Sequence, residues 1–419
     1  MQKKPSRSFP KDFLWGAGTS ALQVEGGITS QWTEWEKANA KSLATQAPHL
    51  YSALPGWERH AKLASLPANY ISGKAVDHYH RYREDFDLLE SMNMNAFRFS
   101  IEWSRIQPEE GTWNAEAIHH YKDYLDELLR RNIEPVVTLF HFSLPVWFAE
   151  KGGFEKKQNV GYFVDYAERI IEELGPRVRY IITINEPNVY AVMSYYEAVW
   201  PPQKSDWRSM RRVLNNLARA HNQAAKRIKE KSRRVKLSVA YNSSYVYAGD
   251  DAWLSNVSAF ILQYFKDDYF LGQVRKHCDF LGVNFYFTDR VFGYRVHNPE
   301  QPLSDVGSYL APEMIEFVLT RLHDKYKLPI MITENGLADG QDAHREWWIT
   351  ETIKGMQRAM ASGVTLLGYL HWSLTDNIEL HMGRWPRYGL AEVDYRTYAR
   401  RLRPSALWFG KVIKRLRKV

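Results

Sequence analysis

The sequence predicts an α/β fold, a single closed (β/α)8 barrel, and three observations lead there. Short β-rich apolar runs alternate with longer amphipathic stretches almost from end to end. Eight such runs are separated by segments with helical periodicity, the pattern that closes into one parallel barrel. No Gly/Ser/Pro-rich linker, low-complexity tract or short repeat interrupts the alternation, so residues 1–419 read as one domain with elaborated βα loops.

The first strand is expected over Phe13 to Ala17. The stretch from Ala38 to Ser72 carries neither period and is expected to be a long loop after that strand, walling the site face of the barrel. Helical spacing over Tyr79 to Met92 precedes a strand over Ala96 to Ile101. The spacing over Ala115 to Arg131 precedes a strand over Pro135 to His141, and Tyr162 to Leu174 precedes Tyr180 to Asn185. A long pattern over Met210 to Glu230 leads to Lys236 to Tyr241. The last three strands are expected over Phe280 to Phe285, Ile330 to Thr333 and Leu366 to Trp372, joined by helices over Pro312 to Tyr326 and Arg345 to Ala361.

Composition narrows the class. Hydrophobic residues at 45% and charged residues at 25% are the balance of a globular chain. The 15 Trp and 25 Tyr exceed what core packing calls for. As a set they fit sugar recognition, because the C–H faces of pyranose rings stack on aromatic planes. The net charge of +8 is concentrated at Arg211-Arg212, Lys226 to Lys236 and Lys411 to Lys418. Each cluster lies where apolar residues such as Val412, Ile413 and Leu416 recur at helical spacing, so it reads as a solvated helix face and no nucleic-acid partner is expected. No apolar run approaches a membrane span, and no membrane partner is expected. Met1 to Pro10 is basic without an apolar core, unlike a secretory leader. With Cys278 the single cysteine, a cytoplasmic location is expected.

The polar residues gather at strand ends. Arg98 stands inside an apolar alternation, and a buried arginine is costly unless an anion pairs with it. The third strand ends on His141, the fourth on Asn185 and Glu186, the sixth on Asn284 and Tyr286, and the seventh on Glu334 and Asn335. A barrel with its site at the carboxyl ends of the strands has this pattern. Two carboxylates on separate strands beside Arg98, Tyr286 and His141 suit glycoside hydrolysis, in which one acid protonates the leaving oxygen while a carboxylate attacks the anomeric carbon. Neither a metal nor another cofactor is expected. There is no His-Glu-x-x-His, and His78-Tyr79-His80 lies on an amphipathic helix. Gly16-Ala17-Gly18-Thr19-Ser20-Ala21 matches a dinucleotide fingerprint, but the tryptophan-rich segment after it is not the helix and second strand that fingerprint requires.

Thr183-Ile184-Asn185-Glu186-Pro187 and Ile332-Thr333-Glu334-Asn335-Gly336 form a highly specific pair of motifs. Arg98 to Arg105, Asp279 to Asn284 and Trp372 to Asn377 support them. Together they resemble glycoside hydrolase family 1, the β-glucosidase and β-galactosidase family, and the likeness runs from Phe9 to Phe409. It implies a TIM barrel and a retaining, exo-acting β-glycosidase. Its substrates would be small β-glycosides or oligosaccharides, β-D-glucosides together with β-D-galactosides or β-D-fucosides, cleaved through a covalent glycosyl-enzyme intermediate. By that resemblance Glu186 is the acid/base and Glu334 the nucleophile, with Arg98, Asn284 and Tyr286 supporting the nucleophile. The sugar pocket would comprise Gln23, His141, Asn185, Tyr286, Trp372 and Glu379.

The chain departs from the family pattern in four places. The usual His-Trp is His141-Phe142, and the usual Glu-Trp is Glu379-Leu380, so two indole donors are missing. The segment from Asn242 to Asp279 is shorter than its usual counterpart. The usual Trp after the Asp-x-Gly signal is Ser308, which implies a wider aglycone side. Lost hydrogen bonds weaken discrimination between epimers, so a looser preference among glucoside, galactoside and fucoside is expected.

Overall fold

The computed structural model describes residues 8–417. Met1–Arg7, which carry most of the reading against a leader, and Lys418, the end of the last basic cluster, lie outside them. Eight parallel strands close into a barrel: β1 Leu14–Gly18, β2 Ala96–Ser100, β3 Glu134–Phe140, β4 Tyr180–Asn185, β5 Lys236–Asn242, β6 Leu281–Phe285, β7 Ile330–Asn335 and β8 Leu366–Trp372. Each pairs with its neighbour in sequence, and β8 closes on β1 from Leu14↔Gly368 to Gly18↔Trp372. All eight predicted strands are present.

Alternation along the strands builds two cores. Val136, Tyr180, Ile182, Phe280, Met331 and Leu370 belong to a small core that fills the barrel interior, whereas Val137, Ile181, Ile184, Leu281, Val283 and Ile332 join the larger layer against the helices. The alternation breaks where the polar residues begin. Between Ile182 and Asn185 the register of β4 slips against β5, and between Ile332 and Glu334 that of β7 slips against β6. Such irregularities re-aim side chains at barrel rims. The strands also approach closely. A Cβ on Gly16 would lie 2.1 Å from the Ala96 carbonyl oxygen, and one on Gly336 would lie 1.9 Å from that of Trp372, so glycine is required at both.

Eleven helices matter to the site: α1 Gln31–Tyr51, α2 Trp57–Ala64, α3 His78–Ser91, α4 Ala115–Arg130, α5 Val160–Leu174, α6 Pro187–Tyr195, α7 Trp207–Lys231, α8 Trp253–Gln263, α9 Ile315–Tyr326, α10 Arg345–Ala361 and α11 Pro404–Leu416. The six helices predicted between strands correspond to α3, α4, α5, α7, α9 and α10.

The expected loop over residues 38–72 is corrected: most of it is helical. Ser30 accepts from the Thr33 amide while the Thr33 hydroxyl accepts from the Ser30 amide, a capping box that starts α1. Ala40, Ala44 and Ala47 pack that helix against Trp57, Tyr70 and Trp385. The segment does stand beside the loop after β8, since the Asn69 amide donates to the Met382 carbonyl and its oxygen accepts from the Arg384 backbone. His78, considered for metal binding, is instead buried between Asp85 at 2.6 Å and the Tyr124 hydroxyl at 2.7 Å. No helix among the described residues is long and apolar enough to cross a membrane.

Candidate active site

Arg98, fully buried on β2, organises the carboxyl-end rim. Its Nε donates to Thr138 Oγ1 at 3.1 Å, one terminal nitrogen to Asn185 Oδ1 at 2.7 Å, and the other to the Thr333 carbonyl and the Glu334 carboxylate. The anion that its burial requires is therefore Glu334. The Tyr286 hydroxyl donates to the second oxygen of Glu334 at 2.6 Å. Burial, with the charge on Glu334 next, pushes the Tyr286 phenol well above its ordinary value, so it stays a donor.

Glu186 sits immediately before α6 with a left-handed backbone, φ 40°. Its Oε1 accepts from Asn242 at 2.8 Å and from Asn284 at 2.9 Å. Burial first, and the charge of Glu334 second, raise its pKa to about 7. Glu186 has amide donors where Glu334 has a guanidinium and a phenol, so the two glutamates stand in opposite electrostatic surroundings.

Asn284, expected beside Glu334, is corrected in its partner. Its amide nitrogen reaches Glu186 and Asn185, and its oxygen accepts from Thr333. Asn242, one residue beyond the predicted end of the fifth strand, is a contact the sequence pattern does not reach, although it obeys the same rule of a polar group closing an apolar strand.

The remaining expected residues join the same network. Because Arg98 holds the oxygen of Asn185, the amide nitrogen faces His141 Nε2 at 3.1 Å, and the imidazole proton falls on Nδ1. Among the described residues that buried nitrogen has no hydrogen-bond partner. Burial, assisted by Arg98, holds His141 well below its ordinary pKa and hence neutral. Its ring is nearly parallel to that of Trp372, with centroids 5.7 Å apart and planes at 18°. Trp372 Nε1 and Gln23 Nε2 each approach Glu379 Oε1 at 3.4 Å. Burial pushes Glu379 up to about 8. All ten expected residues thus form one connected cluster.

Phe142 lies against Trp200 at 4.8 Å, but that indole spends its N–H on His381 Nδ1 at 2.9 Å. Leu380 occupies a left-handed turn, φ 49°, next to Glu379. Among the described residues no group of three or more His, Cys, Asp or Glu could hold a metal ion.

A parallel barrel whose rim joins two buried glutamates through one arginine and two asparagines has the frame of a glycoside hydrolase. Comparison with known proteins agrees and is more specific. The chain belongs to glycosyl hydrolase family 1, whose family model matches residues 5–278 and 261–417. It is similar to β-glucosidase A of Thermotoga maritima, 29% identical over 458 aligned positions covering 97% of this chain and 98% of that protein. Among solved structures it resembles a β-glycosidase from Pyrococcus horikoshii, 32% identical with a TM-score of 0.85 over 97% of this chain and 95% of that one. It also resembles a β-glucosidase from Thermotoga maritima in complex with glucoimidazole, 27% identical with a TM-score of 0.85 over 98% and 99%. The 458 aligned positions exceed the 419 residues of this chain, and the two family matches meet at residues 261–278. Relatives therefore carry segments that this chain lacks.

Proposed function

We propose that the protein is a retaining, exo-acting β-glycosidase in which Glu186 is the acid/base and Glu334 the nucleophile. The contrast between the two glutamates supports this most: Glu334 is ion-paired with Arg98, while Glu186 is pushed up to about 7 by burial and by that neighbouring charge. In the first step Glu186 gives its proton to the glycosidic oxygen as Glu334 bonds to the anomeric carbon, and the aglycone leaves as an alcohol. Glycosylation removes the charge of Glu334 and lowers the proton affinity of Glu186. Glu186 then takes a proton from water as the water oxygen displaces Glu334.

Gln23 and Glu379 hold the outer hydroxyls of the sugar, His141 and Asn185 the inner ones, and Trp372 forms the floor. The unpartnered Nδ1 of His141 is a donor awaiting an acceptor. Asn284 positions Glu186, and Tyr286 positions Glu334. The missing indoles at Phe142 and Leu380 leave fewer directed donors, so β-glucosides, β-galactosides and β-fucosides are all substrates. A panel of aryl glycosides, with the first product followed by NMR, tests the assignment. Retention of configuration and a glucoside-to-galactoside ratio in kcat/KM below about a thousand are expected. An inverted first product removes the nucleophile role of Glu334.

A further inference from the structure

Beside Glu186 the barrel rim opens into a cavity of about 1060 Å³. Val192 and Met193 of α6, Met210 and Leu214 of α7, and Tyr264 and Phe265 after α8 form much of its wall. Most polar side chains nearest the acid are engaged, the exceptions in the lining being the Asn188 amide oxygen, unpartnered among the described residues, and Arg211 farther out. Asn242 donates to Glu186, while Ser244 and Lys266 both bind Asp289. A second sugar ring would find few free partners for its hydroxyls here. At about 1060 Å³ the cavity is at the upper limit of small-molecule sites, which span roughly 300–1,000 Å³ and are lined mainly by apolar side chains.

The approach to this cavity is apolar too. Phe260 and Tyr264 stand four residues apart on the helical run that begins with α8, as do Ile261 and Phe265, so each pair shares a face. All four are exposed, Phe260 by 75% and Phe265 by 61%. Exposed apolar side chains in such a row mark an interaction surface. The row ends on residues that line the cavity. It lies within the segment from Asn242 to Asp279, where the chain is short and the two family matches meet.

Glu186 lines this cavity, and the group it protonates is the leaving group. On the assignment of Glu186 as acid, which this inference requires, the cavity holds the aglycone. The geometry points to β-glycosides whose aglycone is a long apolar chain, an alkyl or acyl-bearing primary alcohol, as the preferred substrates.

A series of n-alkyl β-glucosides from propyl to decyl, each below its micelle-forming concentration, tests this on the intact protein. Their alcohols differ little in acidity, so the chemistry of departure is constant and kcat/KM reads burial of the chain. Each added methylene should raise kcat/KM about threefold until the cavity is filled, giving a decyl-to-propyl ratio of at least about a hundred. A ratio under about three, alongside hydrolysis of p-nitrophenyl glucoside, overturns the aglycone assignment and leaves the glycosidase reading standing. Failure to hydrolyse any glycoside removes both. Phe265→Asp, at an exposed position, should cut the decyl-to-propyl ratio at least about tenfold, with Phe265→Leu restoring most of it. An unchanged ratio in Phe265→Asp overturns the placement of the chain in this cavity.

Discussion

Glu334 accepts from a guanidinium and a phenol, whereas Glu186 has only amide donors and a negative neighbour. Replacing Glu334 by glutamine should lower kcat/KM on an aryl glucoside by about four orders of magnitude. The same change should lower the pKa of Glu186 from about 7 but keep it above the ordinary carboxyl value, because burial, the larger cause, remains. Carboxyl-resolved NMR titration measures that drop. On the proposed assignment of Glu186 as acid, its proton must be present for the first step. Thus kcat/KM should fall as pH rises through about 7, the upper limb of its profile, with the apparent value belonging to the coupled pair of glutamates. Arg98→Met leaves Glu334 and the Asn185 oxygen without their cation and should cost about 3–5 kcal/mol of stability, read by urea unfolding. The residues at strand ends were legible as a set because polar groups interrupt apolar runs. Which glutamate Asn284 would touch was not, since a sequence gives a residue's place on a strand but neither its rotamer nor the register slip at Ile332.

Strands and helices with a strong period, such as β4 or α7, could be read within a few residues of their ends. The helix α1 could not, because beyond Trp32 and Trp35 its buried face is built from Ala40, Ala44 and Ala47, too small to stand out as apolar, and Pro48 inside it imitates loop punctuation. Its start was nevertheless written at Ser30 and Thr33. Ser30→Ala should remove the cap and cost about 1 kcal/mol, measured as a shift of the unfolding midpoint at constant m-value. The short segment after β5 was visible only as missing length. What the chain makes of that length depends on tertiary contacts that local propensity does not encode.

The barrel is held shut by segments far apart in sequence. The buried ring of Phe409 on α11 lies 6.3 Å from Trp15 on β1 and 6.0 Å from Tyr369 on β8, at the seam where the barrel closes. Phe409→Ala should therefore cost about 3–5 kcal/mol, and both fluorescence and far-UV dichroism should show it as one earlier transition for the whole molecule. A different kind of unity follows from α6, which has Glu186 immediately before its first turn and whose Val192 and Met193 wall the apolar cavity. On the proposed roles of Glu186 and of this cavity, the departing alcohol and the arriving water share one doorway. If Glu334 is glycosylated as proposed, an alcohol held there would linger within its reach while the apolar surroundings delay water. Some turnovers should then end with the sugar handed to another alcohol, and added hexanol should divert product from free sugar to hexyl glycoside.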